Sequence, residues 1–163
     1  MRSASGEPDL RTQVPPLADD AAAAAYLATL TPAGDQLPLV IEHEGVLVGA
    51  VAVTHLEDRH RTGWVSYWLL PPARGLGLAR RALATVAGWA FEVRGVERLE
   101  LGHRTNNPAS CAVARGAGFV VEGVERGKLR YGDVRYDVET HARLHTDPRP
   151  DLPLLPLVLA PPA

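Results

Sequence analysis

Tyr67-Trp68-Leu69-Leu70-Pro71-Pro72-Ala73-Arg74-Gly75-Leu76-Gly77-Leu78-Ala79-Arg80-Arg81 reads as a strand, a glycine-bearing loop and the first turn of a helix. Aromatic residues favour the strand, and two prolines, which donate no amide hydrogen, close it. At a strand-to-helix junction the first helical amides have no carbonyl partners, and the helix dipole is positive there. Glycine lets the backbone come close to a ligand, so a diphosphate is the natural occupant, with Arg74, Arg80 and Arg81 adding positive charge. The stretch lacks the GK[ST] of a P-loop and the full GxGxxG of a dinucleotide fold. On spacing alone, the same glycines serve equally well in a tight turn that binds nothing.

Outward from the loop the pattern alternates. Ala21–Leu30 reads as a helix after Asp19 and Asp20, which suit its N-terminus. Leu39–Glu42, a Glu44-Gly45 turn and Val46–Thr54 read as a hairpin, and Trp64–Leu70 as the next strand. Leu78–Phe91 is a helix with Ala79, Ala82, Leu83, Val86 and Ala90 in one stripe. Arg98–His103 is a short strand, and Pro108–Ala117 a second helix stopped by Gly116 and Gly118. Phe119–Glu122 and Val134–Leu144 form a final strand pair. The pattern predicts one α/β domain over residues 1–146, with residues 147–163 as a Pro/Leu-rich tail. Six prolines bar that tail from regular structure, so it reads as a loosely held segment, although its leucines suit docking on the domain or on a neighbour.

The composition is that of an ordinary globular protein of 163 residues, 46% hydrophobic and 22% charged. The net charge of −2 is unevenly spread: residues 1–60 carry −6, and residues 74–130 carry +5. Bulk charge excludes a polybasic nucleic-acid binder but leaves room for a local anion site. The single cysteine, Cys111, argues against a disulfide framework and a cysteine-based zinc site, so no metal is expected. No run is long enough to span a bilayer, and the first residues lack the apolar core of a secretory signal, so the expected location is cytoplasmic.

Arg74-Gly75-Leu76-Gly77-Leu78-Ala79 resembles the Arg/Gln-x-x-Gly-x-Gly/Ala signature of the GNAT superfamily of acyl-CoA-dependent N-acetyltransferases. Asn107-Pro108-Ala109-Ser110, followed by Gly118-Phe119-Val120-Val121-Glu122-Gly123, resembles the N-x-x-S and G-F-x-x-E-G run of the branch that acetylates ribosomal-protein alanine and serine N-termini. Tyr67-Trp68-Leu69 and Trp89-Ala90-Phe91 fit the same branch, and the likeness covers roughly residues 39–144. The resemblance implies a mixed, mostly antiparallel central sheet, splayed at a cofactor cleft and flanked by helices. It implies acetyl-CoA as co-substrate, with the pyrophosphate on the backbone of Arg74, Gly75, Leu76, Gly77, Leu78 and Ala79. The pantetheine arm would pair near Leu69 and Leu70. Asn107 would contact the pantetheine or a water, and the Ser110 hydroxyl would protonate the leaving thiolate. The divergent residues 1–38 would build the acceptor side.

A neutral amine must attack the thioester, so a proton has to leave the acceptor. Two positions where the family places carboxylates are Gly102 and Leu129 here, and a late-strand tyrosine corresponds to His141. His141 suits acid or base work, and His103, His55, Glu57, Asp58 and His60 are further candidates. A packing or solvated role competes for each. Cys111, one helical residue from Ser110, points about 100° away from it, which favours packing over covalent catalysis. Gly116 stands where the branch commonly has a phosphate-meeting lysine, with Arg115 beside it as a substitute.

The expected activity is acetyl transfer to a primary amine, a protein N-terminus or a small molecule, by direct attack in a ternary complex of a monomer or homodimer. The missing carboxylates motivate a different class: a non-catalytic acyl-CoA sensor or interaction module.

Overall fold

The computed structural model describes residues 34–159; the helix expected over Ala21–Leu30, with most of the expected acceptor-side region, lies outside them. Six strands form one open sheet: β1 (Leu37–His43), β2 (Val46–Glu57), β3 (Thr62–Leu69), β4 (Arg98–Arg104), β5 (Val120–Tyr131) and β6 (Val134–Leu144). Helix α1 (Leu78–Glu92) follows β3, and α2 (Pro108–Gly116) follows β4. The strand order is β1-β2-β3-β4-β6-β5, and β3 with β4 is the parallel pair in an otherwise antiparallel sheet. This is the mixed, mostly antiparallel, helix-flanked sheet that the sequence implies.

Local chemistry sets the turns. Glu44 (φ 52°) and Gly45 (φ 77°) both sit in the left-handed region, the requirement of the two-residue hairpin turn whose twist matches its strands. Gly132 (φ 59°) opens the second tight hairpin, between β5 and β6.

The core lies between the sheet and the helices. Val53, Val65, Leu99 and Leu101 meet Leu83, Val86, Ala87 and Ala90 of α1, and Ala114, Ala117 and Phe119 extend the same cluster under α2. Each buried Leu or Val contributes about 1.5–3 kcal/mol relative to an exposed one. The buried face of α1 is wider than the stripe read from the sequence, adding Leu78, Ala84 and Ala87.

Two expectations change. β5 was expected to end at Glu122 but continues to Tyr131, interrupted by irregular register between Val121 and Gly123 and between Glu125 and Leu129. Its outer half lies on an exposed sheet edge, where the charges of Arg126, Lys128 and Arg130 discourage pairing with other chains. The described part of the Pro/Leu tail docks on α1. Arg81 Nε donates to the Pro153 carbonyl (2.8 Å), Thr85 Oγ1 accepts from the Leu155 amide (2.9 Å), and Leu152 and Leu155 pack on the core.

Candidate functional site

Where β3 ends, a short 3-10 turn (Pro71–Ala73) redirects the chain into the loop. Gly75 (φ 80°) and Gly77 (φ 74°) adopt the left-handed conformation that glycine reaches without strain. Gly77 is the N-cap of α1, and no side chain caps that end. The bond from Arg81 N to Gly77 O (3.1 Å) begins the ladder, so the amides of Leu78, Ala79 and Arg80 lie ahead of it, facing out. No acidic side chain stands in the first turn of α1. A Cβ on Gly75 would meet nothing within 4 Å, and one on Gly77 only Arg80 Nη2 at 3.9 Å, so the cradle is open. One detail of the expected pyrophosphate set changes: the Arg74 amide donates to Pro71 O (3.1 Å), so the outward-facing amides begin beyond it. Its guanidinium Nε donates to Leu69 O (3.2 Å).

The cleft opens from this loop. β3 and β4 pair at Thr62–Arg98, Gly63–Leu99 and Trp64–Glu100 and then part, leaving Val65–Leu69 bonded to β2 alone among the described strands. Leu70 spends both backbone groups within the chain, its amide on Val48 O (2.8 Å) and its carbonyl on the Ala73 amide (3.0 Å). The strand edge without a β4 partner is therefore Val65–Leu69, which includes Leu69 of the expected pair. Tyr67 ties the diverging strand to α2: its hydroxyl donates to the Ser110 carbonyl (3.1 Å), and burial pushes its pKa up to about 12. It remains protonated at neutral pH.

Asn107 and Ser110 stand together at the start of α2. The Asn107 side-chain carbonyl accepts from the Ser110 amide (3.1 Å), an N-cap that holds the first turn in place. Across the sheet, the carboxylate missing at Gly102 has a steric explanation. A Cβ on Gly102 would lie 2.8 Å from Val138 Cγ1 and 3.2 Å from Trp64 Cη2, so the valine methyl and the indole together occupy the space a glutamate would need. Leu129 pairs with Tyr136 on the β5–β6 ladder, and neighbouring Lys128 holds its ammonium 5.4 Å from the Trp64 ring centre.

His141 lies elsewhere than a solvent-facing acid or base would. It is 1% exposed on β6, with Nε2 2.9 Å from His103 Nε2 and 2.9 Å from Glu139 Oε1. Its Nδ1 has no partner among the described residues, and burial lowers its pKa, keeping the ring neutral at pH 7. Cys111, on α2, donates its thiol hydrogen to Glu139 Oε1 (3.3 Å). That bond, helped by the nearby imidazoles, holds the Glu139 carboxyl below the usual carboxylate range. Sequence reading named His103, Cys111 and His141 separately and did not name Glu139. Its alternation with His141 along one strand face was the available signal.

The remaining candidates have other tasks. Glu57 accepts from the amides of Arg59 (2.7 Å) and His60 (2.8 Å), so its carboxylate closes the β2–β3 turn, which also lowers its pKa. His55 and His60 flank that turn, at the end of β3 away from the loop, about 20 Å off for a strand of this length. Arg80 lies against Gly116, beside Arg115 in the chain.

Residues 8–119 match the model of the acetyltransferase (GNAT) family. The ribosomal-protein-serine acetyltransferase of Escherichia coli (strain K12) is 28% identical over 105 residues, which is 64% of this chain and 59% of that protein. The putative ribosomal N-acetyltransferase YdaF of Bacillus subtilis (strain 168) is 26% identical over 102 residues, 63% of this chain and 56% of that one. The chain thus spans less than two thirds of the length of these curated relatives. Among solved structures, RimJ of Mycobacterium smegmatis in complex with CoA-disulfide superposes with a TM-score of 0.69 at 28% identity, covering 76% of this chain and 60% of that one. A chimera of the spermidine N-acetyltransferase SpeG from Vibrio cholerae and hSSAT superposes with a TM-score of 0.76 over 89% of this chain and 87% of its own, at 17% identity, a likeness of fold alone. With a family match over more than half its length, a splayed β3–β4 cleft and an uncapped glycine-rich helix start, the chain belongs to the acetyltransferase (GNAT) family.

Proposed function

We propose that the protein is an N-acetyltransferase that moves the acetyl group of acetyl-CoA to a primary amine by direct attack in a ternary complex. The observation that carries this reading is the junction of two features. Outward-facing amides at the start of α1 suit a pyrophosphate, and the unpaired edge of Val65–Leu69 suits the amide-bearing pantetheine that would follow it. Relatives that carry acetyltransferase names, and a neighbour bound to a CoA disulfide, support the choice of cofactor.

In the proposed reaction the neutral amine nitrogen bonds to the acetyl carbonyl carbon and the carbon–sulfur bond breaks; the Ser110 hydroxyl gives its proton to the departing thiolate and is reprotonated by the proton that the nitrogen sheds as the amide forms. Asn107 fixes the turn that presents Ser110, and its amide NH2 faces the pantetheine or a water. The ammonium proton of the acceptor leaves through water, because His141 is sealed from solvent and Trp64 fills the place of a carboxylate at Gly102. Positioning then supplies most of the rate enhancement. A ribosomal-protein N-terminus or a small-molecule amine is the acceptor class, since the named relatives modify ribosomal proteins.

The filled Gly102 position favours a second reading, a module that binds acyl-CoA without turning it over. Thiol release from acetyl-CoA, measured against a panel of N-terminal peptides and small amines, separates the two. Acceptor-dependent release is expected. Tight CoA binding with no release from any acceptor would favour the binding module.

A further inference from the structure

We propose that His103, Cys111, Glu139 and His141 form a site for one divalent transition-metal ion of the zinc class, held by two imidazole nitrogens, a thiolate and a carboxylate oxygen. The residues come from three elements, β4, α2 and β6, and their donor atoms all lie within 4.8 Å of one another. A tetrahedral zinc with bonds of about 2.0 Å to nitrogen or oxygen and about 2.3 Å to sulfur has donor–donor edges of roughly 3.3–3.5 Å. The His103–Glu139 separation (3.4 Å) and the Cys111–Glu139 separation (3.3 Å) already match. The His103–His141 and His141–Glu139 separations, both 2.9 Å, are a few tenths short and must widen slightly around an ion.

The protonation pattern favours a cation at the centre. His103 Nδ1 faces the Arg104 carbonyl (3.0 Å), an acceptor only, so it carries the hydrogen of the neutral ring and Nε2 turns its lone pair inward. A ligating histidine anchored through its second nitrogen to a carbonyl is the usual outer support of a metal site. The His141 Nε2 hydrogen can satisfy His103 or Glu139 fully, but not both. A metal ion bonds to all of these lone pairs at once.

Charge also closes. Two neutral imidazoles, one thiolate and one carboxylate sum to −2, which a divalent ion neutralises in a setting where His103 is 8% and His141 1% exposed. On binding, the Cys111 thiol proton passes to solvent and the His141 hydrogen moves from Nε2 to Nδ1, so both imidazoles stay neutral. Nitrogen and sulfur donors select zinc-like ions over magnesium or calcium, which prefer oxygen. Four protein ligands leave no open coordination position, so the ion would brace α2 against the sheet rather than act on substrate. This departs from the sequence expectation of no metal, because a single cysteine sufficed once the fold supplied the other three ligands.

The test uses the full chain freed of metal by a chelator and then titrated with zinc against a chromophoric competitor, and separately with cobalt(II). One equivalent is expected to bind, raising Tm, with a thiolate-to-cobalt charge-transfer band and the intense visible absorption of tetrahedral cobalt. Cys111→Ser should abolish the charge-transfer band, and Glu139→Gln should weaken zinc binding by at least about 10- to 100-fold. His60→Gln, on the exposed β2–β3 turn, should change nothing. If Cys111→Ser does not fold by circular dichroism, Glu139→Gln and the wild-type cobalt spectrum decide. Binding that is undiminished in Glu139→Gln, or a cobalt spectrum lacking the thiolate band, overturns the site.

Discussion

Trp64 and Gly102 face each other across the β3–β4 pair, with the indole Cη2 atom 3.2 Å from where a Gly102 side chain would begin. The contact joins the last paired residue of the splayed strand to a position where the sequence resemblance implies a carboxylate. It determines which substitutions can restore a base.

Gly102→Glu alone is expected to lower stability by about 1–3 kcal/mol, the range for overpacking, without raising turnover. Combined with Trp64→Ala, which removes the indole, the loss should be less than the sum of the two single losses. Denaturant unfolding of the four proteins in this cycle measures the coupling. Strict additivity would show that Trp64 and a residue at 102 do not compete for the same space.

Gly77→Val tests the phosphate cradle. The left-handed φ of 74° strains a β-branched residue by about 1–3 kcal/mol, and the new bulk stands at the open face of the loop. Calorimetric CoA affinity should fall at least tenfold while circular dichroism stays that of a folded domain. Unchanged affinity would remove the pyrophosphate from this loop.

Ser110→Ala should lower kcat by about 10²-fold, the lower end for a lost general acid, with a much smaller change in CoA affinity. The Asn107 cap is made by the backbone amide of residue 110, so the substitution leaves the helix start intact. A loss confined to CoA binding would make Ser110 a binding residue only.

The docked tail depends on few polar contacts. Thr85 Oγ1 accepts from the Leu155 amide and lies 3.3 Å from its carbonyl, beside its 2.9 Å bond to Arg81 O. Thr85→Val leaves the Leu155 amide unpaired and should destabilise the docked state by about 1–3 kcal/mol. Faster hydrogen exchange and proteolysis are expected within residues 150–159. Unchanged protection would assign the docking to Leu152 and Leu155 packing alone.

Much of this molecule is legible along the chain because its signals are local. The glycines of the loop, the prolines closing β3 and the α1 stripe act over a few residues, and each appears where the sequence places it. The far half of β5 was not legible. Gly127 and the charged residues from Glu125 to Lys128 interrupt it, and its pairing with β6 through an irregular register is a property of two strands together.

The sequence by itself determined the strand–loop–helix junction, the order of the elements and the family signature, because backbone preferences and capping are set by near neighbours. Only the tertiary structure decided what surrounds each candidate side chain. It filled the Gly102 position with Trp64, from 38 residues earlier in the chain, and enclosed His141 with His103, Cys111 and Glu139. Burial and the convergence of donor atoms are sums over distant segments, so a histidine suited on paper to moving protons became, once folded, the buried member of a polar cluster.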